Sequence, residues 1–458
     1  MTATGRRGEA AALWGPGGFV ALLAGYVALH FVLRLALSET IGTDYVAEAI
    51  FAQSLEWSYY PRQPPLYTWL QWALFQAFGV GVFSIALMKY ALLTLTYVFL
   101  YLSARRIFAD PRLQMLSAFS PLLIYAVGWG AHVGFTNTAL LAFACVATFY
   151  ALVRLLETGA TAAYLGLGAA LGVGLLSKYG YAVFAISLLA AALAQEGPRR
   201  RLLERRMLLA VGLAAAIVLP YLAWGFEGTG AFETVFRQTM KEGGGVPYVE
   251  GVASGLATLL KAVVMFLSPL WLVLFLIFPR AIMPGVSATQ AAGTPQSAAP
   301  GGAGVDARRL LEHFFLIAFA IVLLGVLGAG ITYFTSRWMH PLLLLFPIYF
   351  FCRVRDSGFG RGQVRRYSVT LLAFVALVVV FRVAQAAIGP PLCNKCRLAM
   401  PYPVLTQQIA DRGFATGTIV AADEHIAGNF RVRFPGSRVV SVTYPFYIPP
   451  PRPARAAE

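Results

Sequence analysis

Long apolar stretches recur along the chain, separated by short polar joints. The plainest cover 17–37, 83–103, 207–225, 255–278, 311–331 and 367–388. Each approaches or exceeds the roughly 20 residues an α-helix needs to cross the hydrocarbon core of a bilayer. Shorter apolar stretches lie at 114–129, 137–153, 162–177, 181–195 and 338–352; several would span only partly, or against other helices. The pattern predicts an all-α polytopic membrane protein of about eleven transmembrane helices. The first stretch follows Arg6 and Arg7, is too long for a signal peptide and lacks a small-residue cleavage site, so it reads as an anchor.

The joints alternate in charge. One set holds Arg6, Arg7, Arg105, Arg106, Arg112, Arg154, the arginines of 199–206, Arg280, Arg308, Arg309, Arg353, Arg355, Arg361, Arg365 and Arg366, which is 19 of the 36 basic residues. The other set, leaving out the tail, holds Arg62, Lys178, Arg237, Lys241 and Arg337. Basic loops stay on the cytoplasmic side, so the N-terminus is expected inside and the C-terminus outside. Arg154 and Arg199 then lie on one side, and the apolar segment between them crosses an even number of times. Two short helices meeting at Ser177-Lys178-Tyr179-Gly180 meet that condition, with Lys178 at the outer surface or in a cavity.

The expected organisation is a transmembrane module, 1–388, and an extracytoplasmic C-terminal appendage, 389–458. The module includes an outer loop, 38–82, with its own helices. It also includes a cytoplasmic linker, 281–307, rich in Ala, Gly, Pro, Ser and Thr. In the appendage, Leu405–Asp411 suggests a helix, while Gly417–Ala421 and Arg438–Thr443 suggest strands, giving a small α/β unit.

Composition agrees with a membrane chain. Hydrophobic residues make up 59%, charged residues 12%, and mean hydropathy is +0.69, which excludes a soluble enzyme. The net charge of +16 is mostly the loop bias, so no nucleic-acid partner is expected. Four cysteines exclude a disulfide scaffold as the main source of stability. Cys145 and Cys352 fall in or at the ends of spans as packing residues. Cys393 and Cys396 lie outside, where a CxxC pair can be a redox motif, a metal half-site or a local disulfide; a small structural disulfide is the expectation.

Candidate chemistry gathers at the outer level. Asp44 and Glu48 are four apart and share a helix face. The same spacing fits an N-cap Asp44 with a solvated Glu48. Pro64-Pro65 starts a second helix with an interfacial aromatic face. Lys89, Lys178 and Arg337 come from three spans, yet each falls near the outer leaflet with no acid within four positions. Such cations either snorkel or converge on an anion. Arg34, Lys261 and Arg382 also lie in spans and read as structural. His132 and Asn137 flank an outer turn and read as polar turn residues. No phosphate loop, dinucleotide fingerprint or zinc-ligand spacing occurs in a credible context.

The ordered set of pieces resembles the bacterial GT-C type glycosyltransferases of family 39, which include lipid A aminoarabinose transferase and the protein O-mannosyltransferases. The pieces are Asp44 to Glu48 followed by Gln63-Pro64-Pro65-Leu66-Tyr67, then Lys89, Leu176-Ser177-Lys178-Tyr179 and Ser336-Arg337-Trp338 with Pro341. Cys393-Asn394-Lys395-Cys396 and Ile426-Ala427-Gly428-Asn429 look like those of one bacterial branch. The resemblance implies a GT-C bundle in a bacterial inner membrane that moves a sugar from a polyprenyl-phosphate donor to an acceptor at the outer face. The acceptor is left open among lipid, glycan and protein. It implies an acid of the first outer loop as base, best matched by Asp44 with Glu48 as the alternative. It also implies Lys89, Lys178 and Arg337 as holders of the donor phosphate, with Tyr60, Arg62 and Tyr179 as further substrate contacts. Many members have two adjacent acids, whereas Tyr45 follows Asp44 here. No cofactor is expected, and a divalent cation is left open. The competing functions are a transporter or flippase of an amphiphile, and a non-catalytic assembly subunit. Transporters tend to carry internal repeats, and none is evident here.

Overall fold

The computed structural model describes residues 13–42, 44–60, 63–226, 247–283, 306–389 and 397–451. Among these, seven helices are long and apolar enough to cross a bilayer: Pro16–Leu37, Val82–Ile107, Asn137–Thr158, Met207–Gly225, Tyr248–Leu267, Ala307–Ala329 and Arg361–Ile388. Asn137–Thr158 has 83% of its apolar window buried and Val82–Ile107 has 61%, against 17–28% for the other five. The first two therefore form the centre of the bundle, and the others turn most of their apolar surface outward to lipid.

Lipid tails are as apolar as leucine, so burial alone does not hold such helices together; close packing does. Thr161–Leu175 packs on Met207–Phe226 through Gly168 and Gly172, one turn apart. A Cβ on Gly168 would fall 2.4 Å from the Ala210 carbonyl oxygen, and one on Gly172 would fall 2.9 Å from Ile217. Replacing Gly168 with a larger residue would force these two backbones apart.

Three of the expected crossings are broken helices, whereas the short stretch 137–153 lies within the unbroken helix Asn137–Thr158. The stretch 114–129 becomes Pro111–Phe119, a 3-10 turn Ser120–Leu123 and one turn of helix Tyr125–Gly128. The stretch 255–278 is interrupted at Pro269, which divides Tyr248–Leu267 from Leu270–Ile277. Backbone groups freed by a break in a membrane must find partners inside the protein. Here one break serves the other: Tyr125 N–H donates to the Ser268 carbonyl at 2.8 Å. The stretch 338–352 similarly divides into Ser336–Met339, His340–Leu343 and Phe346–Ser357. The pair expected around Lys178 is present as Thr161–Leu175 and Tyr181–Leu193, joined by a turn over 176–180.

The outer loop carries two helices, Asp44–Phe51 and Leu66–Phe78, the second starting directly after Pro64-Pro65. The C-terminal part is a β-α-β unit: strand Thr418–Ala421, helix Glu424–Arg433 and strand Arg438–Ser441. The strands pair in parallel, with Thr418 opposite Arg438 and Ala421 opposite Ser441. The helix Tyr402–Asp411 precedes them. The crossover helix lacks a clear apolar stripe, which is why the pattern did not reveal it; Asp423 caps it by accepting from Ile426 N–H at 2.8 Å. The free cysteines Cys145 and Cys352 are buried packing residues. Arg62, Cys393 and Cys396 lie outside the described residues.

Candidate active site

Asp44 is the first residue of the helix Asp44–Phe51. This helix buries Tyr45, Val46, Glu48, Ala49, Ile50 and Phe51, while the Asp44 side chain keeps 39% of its surface open. The two acids thus share a face in sequence but meet different surroundings.

The Asp44 carboxylate lies 3.5 Å from the Arg337 guanidinium, which also stands over the Phe135 ring at 5.9 Å to its centroid. Arg337 sits in the 3-10 turn Ser336–Met339, which opens the broken stretch 338–352. Lys178 Nζ donates to Thr138 Oγ1 at 3.2 Å and acts electrostatically on both Asp44 and Arg337. Burial raises the Asp44 pKa, and the charges of Arg337 and Lys178 pull it back down. Burial also lowers the Lys178 pKa, against the pull of Asp44. One carboxylate and two cations therefore face one another.

Glu48 is buried at 4% exposure, so it is not a solvated helix residue. Its Oε2 accepts from Thr68 Oγ1 at 2.8 Å, and its Oε1 accepts from Asn137 Nδ2 at 3.2 Å. Burial pushes its carboxyl up to about 8, with the Thr68 and Asn137 hydrogen bonds opposing and the Asp44 charge adding to the rise. At neutral pH a carboxyl held this way keeps its proton, whereas Asp44 is the more open of the two and has cations beside it.

Lys89 does not join this group. It is 1% exposed, donates to the His132 carbonyl at 3.2 Å and lies against the rings of Tyr45 and Tyr90, 4.9 and 5.1 Å from their centroids. The expected convergence of three cations is thus a convergence of two, Lys178 and Arg337. The third is closed in because the Tyr45 ring covers it. Lys89 instead neighbours a second buried basic group. There, Arg382 bonds His30 Nδ1, the His30 and His132 rings stack at 3.9 Å, and Arg34 closes the end of its own helix by donating to the Ser38 and Thr40 carbonyls at 2.6 and 2.8 Å. Arg34 and Arg382 are thus held by backbone carbonyls and by His30.

Tyr179 shares a hydrogen bond with Tyr221 at 2.9 Å, and Tyr60 packs against Tyr444 and Phe446 of the tail. Thr68, Thr138 and Phe135 touch the candidate site residues and were not singled out by the sequence. Asn137 was in view as the end of a polar outer turn, and only its placement opposite Glu48 distinguishes it from an ordinary turn residue.

Known proteins resemble this chain in sequence and in fold. The family described as dolichyl-phosphate-mannose-protein mannosyltransferase matches residues 62–224. The lipopolysaccharide core galacturonosyltransferase RgtA of Rhizobium johnstonii is 30% identical over 429 residues, covering 93% of this chain and 82% of RgtA. The lipopolysaccharide core galacturonosyltransferase RgtB of the same organism is 29% identical, covering 94% of this chain and 84% of RgtB. The crystal structure of ArnT from Cupriavidus metallidurans bound to undecaprenyl phosphate superposes with a TM-score of 0.60 at 16% identity, covering 93% of this chain and 86% of ArnT. That likeness shows a common fold. Coverage of nearly the whole chain by relatives that transfer sugars decides between transfer and transport. The chain belongs to the GT-C type membrane glycosyltransferases, the family of these lipopolysaccharide core galacturonosyltransferases.

Proposed function

We propose that this glycosyltransferase moves a sugar from a polyprenyl-phosphate donor to an acceptor hydroxyl at the outer face of the membrane, with Asp44 as the base and Lys178 and Arg337 as the holders of the donor phosphate. The observation that carries the reading is the placement of Asp44 3.5 Å from Arg337 with Lys178 beside both. A hydroxyl is a poor nucleophile until a positioned carboxylate takes its proton. A departing lipid phosphate gains charge, which fixed cations stabilise where water is scarce. In the reaction the acceptor oxygen bonds the anomeric carbon, and the bond from that carbon to the phosphate oxygen breaks. The hydroxyl proton passes to Asp44 and the polyprenyl phosphate leaves. This is a single displacement and inverts the anomeric centre.

The relatives' names support a galacturonic acid as the sugar and a lipopolysaccharide core as the acceptor. The ArnT complex supports a lipid phosphate seated in the same fold. The basic bias of alternate joints supports an outward-facing site and tail in a bacterial inner membrane. We also propose that 1–388 is the catalytic membrane module and that 389–458 is a separate unit seated on its outer loop.

The test is sugar transfer by the purified chain from polyprenyl-phosphate galacturonic acid to lipopolysaccharide core lacking that sugar, followed by mass spectrometry. A mass gain of one hexuronic acid in the wild type, absent in Asp44→Asn, is the expected result. No gain from this or any other polyprenyl-phosphate sugar would defeat the proposal.

A further inference from the structure

The helix that carries Asp44 is gripped at both ends by the tail. Three residues before it, Ile41 is fully buried, and both its backbone groups are met by one side chain of the tail helix. Asn429 Oδ1 accepts from Ile41 N–H at 2.8 Å, and Asn429 Nδ2 donates to the Ile41 carbonyl at 2.9 Å. Two residues after the helix the pattern is reversed. Gln53 Nε2 donates to the Val439 carbonyl at 2.8 Å, and Gln53 Oε1 accepts from Val439 N–H at 2.9 Å. Val439 lies in the tail strand Arg438–Ser441. Tail and loop thus each supply one primary amide that pairs with the other's backbone.

Between these two grips the helices Asp44–Phe51 and Glu424–Arg433 touch at Gly428. A Cβ there would fall 2.5 Å from Val46 Cα and 2.6 Å from Val46 Cβ, so a side chain at this position would separate the helices. Further bonds follow the same seam. Ser38 donates to the Leu398 carbonyl at 2.6 Å, and Tyr447 donates to the Phe51 carbonyl at 3.0 Å.

Apolar packing alone would fix nearness. A two-point amide pair also fixes register and angle, and the buried Asn429 amide is costly if its partner moves away. We infer that Asn429 and Gln53 are positioning residues that set where Asp44 stands relative to Arg337 and Lys178, which makes the tail a working part of the transfer site. The catalytic half of this inference rests on the function proposed above; the structural half does not. A misplacement of about 1 Å at a reacting group can cost on the order of 100-fold in rate.

Two variants test it. Asn429→Ala removes one grip, while Gly428→Ala keeps every hydrogen-bonding group and pushes the helices apart. Gln407→Ala, on the exposed face of the tail helix Tyr402–Asp411, is the control. Both test variants are expected to lower kcat about 10- to 100-fold, with the donor KM within about twofold of wild type. Hydrogen exchange should speed up in 44–53 and stay unchanged in 137–158. Unchanged kcat and unchanged exchange in both variants would overturn the inference. So would a general loss of folded protein, or a donor KM that rises as much as kcat falls, since the tail would then act on the whole fold and not on Asp44. If the wild type transfers nothing from any polyprenyl-phosphate donor, the proposed function fails, and the exchange measurement still decides whether the tail sets the helix.

Discussion

Asn137 and Glu48 meet across 3.2 Å, although they are 89 residues apart in the chain. The amide donates to the carboxyl oxygen opposite the one bonded by Thr68, so both oxygens of Glu48 are occupied. Asp44, one turn earlier, instead faces Arg337. On the proposed function, this difference divides the two acids by task.

Asp44→Asn should lower turnover by about 10²–10⁴-fold, the usual cost of losing a general base, with the donor KM little changed. Glu48→Gln keeps a neutral, hydrogen-bonding group in the same place and should retain most turnover at neutral pH. Steady-state rates of the two variants distinguish the roles; a dead Glu48→Gln beside an active Asp44→Asn would reverse them.

Arg337→Lys keeps the charge and loses the planar fork, so kcat/KM for the donor should fall about tenfold or more, matching the ~1.5 kcal/mol of a charge-assisted hydrogen bond. Lys178→Ala should raise the donor KM. Lys89→Met should leave donor use unchanged and lower thermal stability, because Lys89 bonds a buried carbonyl and lies outside the Asp44 group. An increase in donor KM for Lys89→Met would return it to the phosphate site.

Two pH dependences follow from the carboxyls. Asp44 must be ionised to act, and burial raises its pKa, so turnover should climb with pH through a range above that of an ordinary aspartate. Glu48 has its folded pKa raised to about 8 from 4.5. Between those values the folded chain holds a proton that the unfolded chain releases, so rising pH erodes stability across this window, and the erosion is complete above about 8. The Tm advantage of Glu48→Gln over wild type should therefore widen from about pH 5 to pH 9. A constant Tm difference would contradict the burial of Glu48 as a neutral group.

Asn137→Ala leaves one Glu48 oxygen without its partner and should destabilise the fold by about 1–3 kcal/mol. Thermal unfolding in detergent, compared with Asn137→Asp, checks this. The aspartate places a second carboxyl against the first and should be worse than alanine.

Much of this protein was legible before any coordinates, because apolar length and loop charge are local properties. The central helices, the hairpin around Lys178 and the acid face of the outer loop all follow from stretches of fewer than 40 residues. The site itself depends on side chains brought together from distant segments. Thr68 and Asn137 are ordinary residues until they meet Glu48. Lys89 looked like a phosphate ligand because its depth in the membrane was readable and the cover of Tyr45 was not. The tail helix was missed for a related reason: its inward residues, Gly428 and Asn429, face another helix through backbone contact and amide bonding, which leave no apolar stripe.

Orientation has a direct check. In a chain with Cys393 and Cys396 replaced by serine, Leu55→Cys should react with an impermeant thiol reagent from outside intact cells, and Leu203→Cys should react only after the membrane is opened. Both side chains are exposed, at 53% and 71%, so a failure to label would not come from burial. The reverse pattern would invert the topology.

The bond between Arg382 and His30 bears on how the protein is made. The two residues are 352 positions apart, on the first and last of the long apolar helices. The first helix is made while Arg382 is still untranslated, but His132, on which the His30 ring stacks, comes well before it. A chain that lacks residue 382 loses the Arg382–His30 bond and keeps the packing of this helix on Val82–Ile107, where Phe19 stacks on Tyr101. The late contact therefore adds a bond to a helix already seated, so the Arg382–His30 bond can form last without the first helix having to wait for it.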